Sequence, residues 1–144
     1  TSELLTDLED GGRLDLLIDA IKVATDKQAG AAPVVGDATE NWNAAEADIV
    51  SIGANDTKNK LHSLVVDISG LTATATISIR MYMQVKGVEK KVYDQDFVVG
   101  TDPDGLWIVN GTIGIHEVLR VTAQSDNGAD DGKTIAYDYM LEVM

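Results

Sequence analysis

Cysteine is absent, proline occurs twice, phenylalanine once, and 11 basic residues stand against 24 acidic ones in 144 residues. Each shortage excludes something. Without cysteine there is no disulfide framework, thiolate zinc site, iron–sulfur cluster or thiol nucleophile, and the chain tolerates oxidising and reducing surroundings equally. The net charge of −13 repels phosphate backbones, which speaks against a nucleic-acid partner. It also keeps a crowded assembly soluble, or suits packing against a basic neighbour. No apolar run approaches the roughly 20 residues of a membrane helix, so no membrane partner is expected. The start, Thr1-Ser2-Glu3, lacks a signal-peptide pattern, and without an initiator Met it reads as a processed chain or a fragment of something longer. Catalytic signatures are missing as well: there is no G-x-S-x-G, no H-E-x-x-H and no glycine-rich phosphate cradle between strand and helix. The two histidines, His62 and His116, are not at metal-ligand spacing in the sequence. Carboxylates are plentiful enough that a glycosidase pair stays open on composition alone, although two Trp, four Tyr and one Phe are few for a sugar cleft. The expectation is a non-enzymatic chain with no cofactor and no bound metal.

What is present divides the chain in three. Residues 1–28 read as a helix in two pieces, broken at Gly11-Gly12, because glycine is costly inside a helix. In the second piece Leu14, Leu17, Ile21, Ala24 and Gln28 follow a three-and-four spacing that Ile18 widens, the a/d stripe of a coiled coil over about two heptads. A helix this short is marginal alone; it packs on its own domain or meets copies of itself. Leu14, Leu17, Ile18 and Ile21 are the candidate oligomerisation residues. Residues 29–45 lack periodicity and read as a linker, with Trp42 stapling it onto the domain beyond.

From Asp48 the period switches to two. Short strands are expected around Ile49–Ile52 and Leu64–Ile68. The clearest carries Ala75, Ile77, Ile79, Met81, Met83 and Val85 on one face and Thr74, Thr76, Ser78, Arg80, Tyr82 and Gln84 on the other. Lys86-Gly87 is a hairpin turn, and residues 88–99 return. Further strands are expected at Leu106–Val109, ended by Asn110-Gly111, at 115–123 with Leu119 and Val121 inward, and at the end with Ile135, Tyr137, Tyr139, Leu141 and Val143 together. About seven or eight strands predict a mainly β domain over residues 46–144, an antiparallel sandwich of jelly-roll or immunoglobulin-like type behind a short helical segment. The polar loop 125–132 offers Asp126, Asn127, Asp130 and Asp131 as hard oxygen ligands, for Ca²⁺ or for another ligand. Its spacing fits a calcium loop poorly, since Ala129 stands where a ligand is needed, and a solvated turn is the better reading.

Three stretches together resemble tailed-phage virion proteins: Asp10-Gly11-Gly12-Arg13-Leu14-Asp15-Leu16-Leu17-Ile18-Asp19-Ala20-Ile21, Val99-Gly100-Thr101-Asp102-Pro103-Asp104-Gly105, and Val121 through Gly132. The resemblance is to proteins that decorate capsids or form head and tail fibres. It implies a self-assembling structural protein on the particle surface, often trimeric, whose partners are its own copies and other virion proteins such as the major capsid protein. It brings no catalytic residues. The alternative expectation is a carbohydrate-binding or adhesin-like module, with loops 100–105 and 125–132 as contacts.

Overall fold

A computed structural model of the chain describes residues 32–144. The helical segment predicted over residues 1–28, with Leu14, Leu17, Ile18 and Ile21, lies outside the described residues.

The described part is mainly β. Eight strands run β1 Ala32–Asn41, β2 Ala47–Ile52, β3 Asn59–Asp67, β4 Thr76–Val85, β5 Val88–Val98, β6 Gly105–Ile115, β7 Leu119–Ser125 and β8 Asp131–Val143. They form two four-stranded sheets in the orders β1-β8-β3-β6 and β2-β7-β4-β5, with every neighbouring pair antiparallel. Only the β4–β5 hairpin stays within one sheet; every other connection crosses to the opposite one. The hairpin turns on Lys86 (φ 53°) and Gly87 (φ 78°), the two left-handed residues whose twist matches the flanking strands.

The two sheets pack face to face because each strand's inward positions are apolar. Leu61, Leu64 and Val66 from β3 and Ile135 and Tyr139 from β8 meet Ile77, Ile79 and Met81 from β4 and Leu119, Val121 and Ala123 from β7. Trp42 lies wholly buried in the β1–β2 turn, and its indole Nε1 donates to the Lys133 carbonyl at 2.7 Å. Burying this side chain accounts for roughly 3 kcal/mol of transfer free energy.

Several expected boundaries are corrected. Residues 32–41, assigned to a linker, form edge strand β1, paired along its length with β8. Eight of its ten residues are exposed, so no alternation of polarity marks it. Among the described residues the sandwich thus already includes Ala32–Asn41, ahead of residue 46. β6 does not stop at Asn110-Gly111 but runs on to Ile115, with Gly111 at φ 133° where its register against β3 slips. Ile115 closes β6, and β7 starts only at Leu119. The loop after β7 contains a single 3-10 turn, Gly128–Asp130.

Candidate functional site

The two outer faces differ in chemistry, and the difference follows from which strands stand in the middle of each sheet. On the sheet containing β4, outward positions of β7 and β4 are Arg120, Thr122 and Gln124 beside Tyr82, Arg80 and Ser78 in register. Arg120 donates to Asp48 at 2.8 Å and Glu89 at 2.7 Å while its guanidinium lies 4.4 Å from the centre of the Tyr82 ring. Arg80 sits 3.4 Å from both Glu46 and Asp94, and Lys91 donates to Asp94 at 2.7 Å. Glu46 accepts from the Tyr82 hydroxyl at 2.8 Å and from the hydroxyl of Thr122. Burial alone would raise the Glu46 carboxyl; the two hydroxyls and the arginines outweigh it and hold the group below its ordinary value. Burial and then the carboxylate push the Tyr82 hydroxyl up. Each of these cations is thus ion-paired within the face.

The outer face of the other sheet differs. Register places Val35, Asp138, Val65 and Trp107 in one row across β1, β8, β3 and β6. The next row holds Pro33, Met140, Ser63 and Asn110, and the row on the other side holds Asp37, Ala136, Asp67 and Gly105. Val35 is 71% exposed, Trp107 61% and Met140 39%. A shallow groove of roughly 380 Å³ is lined by Val35, Val65 and Ala136, which alternate in the register with Asp138, Asp37 and Asp67. Among the described residues, none of these three aspartates has an ion-pair partner. Sequence reasoning missed this face. Its signal is the unbroken apolar runs Leu64-Val65-Val66, Leu106-Trp107-Ile108-Val109 and Tyr139-Met140-Leu141, in which an apolar residue occupies an outward position of a half-buried strand.

The loop carboxylates singled out from the sequence diverge rather than converge. Asp126 accepts from the Thr76 amide at 2.9 Å, Asn127 caps the 3-10 turn through the Ala129 amide at 2.9 Å, and Asp131 accepts from the Asn43 and Ala44 amides at 2.7 and 3.1 Å. Asp130 is fully buried; it accepts from the Thr72 amide and hydroxyl, both at 2.7 Å, and from the Ser125 hydroxyl. Burial raises its carboxyl, but these hydrogen bonds and nearby Lys133 leave it below the usual range. Three of these side chains, Asp126, Asp130 and Asp131, thus tie the loop to three places in the sandwich, and Asn127 closes the turn within it. Among the described residues no group of three His, Asp or Glu side chains is placed to hold a metal ion.

His62 occupies the bulge of β3 and bonds sideways to both neighbouring strands, to Thr112 through Nδ1 and to Glu142 through Nε2, each at 2.8 Å. The order hydroxyl, imidazole, carboxylate is that of a nucleophile relay. Here the three residues lie on β6, β3 and β8 where both ladders slip, and their side chains link the three strands. His116, the other histidine, is exposed between β6 and β7. Comparison of the chain with protein-family models, with curated proteins and with solved structures gives no match.

Proposed function

We propose that this chain is a non-enzymatic structural protein that works by protein contact, a self-assembling virion component of the capsid-decoration or fibre type. The observation that carries this reading is the asymmetry of the sandwich. One outer face is covered by its own ion pairs, whereas the other offers Trp107, Val35 and Met140 to solvent in neighbouring rows. Exposed apolar side chains grouped in this way mark interaction sites. The strand order β1-β8-β3-β6 against β2-β7-β4-β5 supports a jelly roll over an immunoglobulin-like sandwich, and jelly rolls recur in viral capsid and lectin domains. That step is an analogy of fold; the assignment to tailed phages rests on the resemblance of residues 10–21, 99–105 and 121–132. The stripe Leu14, Leu17, Ile18 and Ile21 supplies the self-association. Light scattering on the full chain tests it: a concentration-independent trimer is expected, reduced to a monomer by L17E with I21E while the β-type circular dichroism persists. A wild-type chain that stays monomeric at high concentration overturns self-assembly.

One observation favours carbohydrate binding as a second reading. A polar depression of roughly 430 Å³, lined by Asn43, Thr76, Ser78, Gln124, Ser125 and Asp126, lies beside the 125–132 loop. Its hydroxyl, amide and carboxylate groups suit sugar hydroxyls, although no aromatic ring lines it. Glycan-array hits weakened by D126A are the expected result on this reading, and an array without hits removes it.

A further inference from the structure

We infer that the outer face of the β1-β8-β3-β6 sheet docks a different protein, one that presents apolar side chains flanked by arginine or lysine, and not a second copy of this chain. The inference rests on the protein-contact reading above and names its partner chemistry. Charge decides between the occupants. Asp37, Asp67 and Asp138 surround Ala136 in the register of three adjacent strands, and none has a cationic partner among the described residues. A second copy laid on this face would bring the same three aspartates against them in a chain already at −13, and like charges at an interface are unfavourable. A basic partner relieves that repulsion instead.

Shape agrees with charge. Val35, Val65 and Ala136 in the groove suit the aliphatic stem of a long cationic side chain, whose head then reaches one of the aspartates that alternate with them. Arginine fits best, because its planar fork pairs with carboxylates and stacks on rings, and Trp107 stands next to Val65 in the same row. Four strands and three rows cover about 20 by 20 Å, or about 400 Å². That is half of what one partner contributes to a standard interface, so this face is the centre of a contact whose rim extends over the edges of β1 and β6.

The test uses the full-length chain, isotope-labelled, and two synthetic peptides: acetyl-Arg-Leu-Arg-Leu-Arg-amide and its analogue with glutamate for arginine. NMR shift perturbations are expected at the Trp107 indole, the Val35 and Val65 methyls and Asp138 for the basic peptide only, weakening as salt rises. W107A, and separately D67N with D138N, should each weaken binding by about fivefold or more. These positions lie outside the core, so their thermal melts should match wild type. Perturbations centred on the Arg80–Arg120 face, equal binding of the acidic peptide, or no binding overturns the proposal. So does self-association through Trp107 in the absence of peptide. Light scattering reads the other claim separately: a monomer that still binds the basic peptide ends self-assembly and leaves this face standing, whereas a trimer that ignores the peptide does the reverse.

Discussion

Replacing Asp130 by alanine removes the acceptor around which the 125–132 loop is built. Its carboxylate is fully buried and takes three hydrogen bonds, two from Thr72 and one from Ser125. The donors are not equally stranded. The Ser125 hydroxyl can turn towards the Asn127 carbonyl, 3.5 Å away, and the hydroxyl of half-buried Thr72 can turn its proton towards solvent. The Thr72 amide has no second acceptor among its hydrogen bonds. One orphaned backbone donor costs about 1–3 kcal/mol, and two weakened hydroxyl bonds add roughly 0.5 kcal/mol each. The expected loss is therefore about 2–4 kcal/mol, or a melting temperature lower by about 8–16 °C for a domain of this size. Urea unfolding of the full chain, followed by tryptophan fluorescence, reads it directly. Trp42 is a local reporter, because its carbonyl accepts from the Ser125 amide at 2.9 Å and its indole holds the Lys133 carbonyl. D130N keeps the shape and one carbonyl oxygen for Thr72, so about 1–2 kcal/mol is expected. Because the Asp130 carboxyl is held below its ordinary value, its contribution is complete above a pH of about 4 and lost as pH falls through the lowered value. The gap between wild type and D130N must therefore close on acidification. A D130A protein within about 0.5 kcal/mol of wild type at neutral pH, or a D130N gap that widens in acid, refutes the reasoning.

Two further substitutions probe the backbone. A Cβ at Gly36 would lie 2.6 Å from the Tyr137 hydroxyl oxygen and 2.8 Å from Cζ, so G36A should cost about 1–3 kcal/mol, and most of that cost should vanish in a Y137A background when the double-mutant cycle is measured in urea. Thr74 is β-branched yet sits at φ 69°; T74G should relieve left-handed strain of about 1–2 kcal/mol against a glycine entropy cost of about 0.5–1 kcal/mol, raising the urea midpoint, and a lowered midpoint contradicts it.

Much of the sandwich was legible because one buried face writes its period into the sequence. Ile77, Ile79 and Met81 are buried and alternate with outward Ser78, Arg80 and Tyr82, as expected. The Lys86-Gly87 turn and the inward run Ile135, Tyr137, Tyr139 and Leu141 were readable for the same local reason. β1 was not, since this edge strand half-buries only the small residues Gly36 and Ala38 and therefore carries no apolar alternation. The slip of β6 at Gly111 was missed because Asn-Gly ordinarily signals a turn, and only pairing with β3 keeps the strand running through it.

The candidate face divides the same way. The sequence by itself determined that this chain is acidic, free of cysteine and rich in half-buried strands, since composition and period are local properties. Only the tertiary structure decided that Val35, Asp138, Val65 and Trp107, drawn from four strands far apart in the chain, stand in one row. It also decided that Asp130 is buried and tied to Thr72 rather than free to bind an ion. Strand order and register bring distant residues together, and neither is written in the periodicity of any single strand.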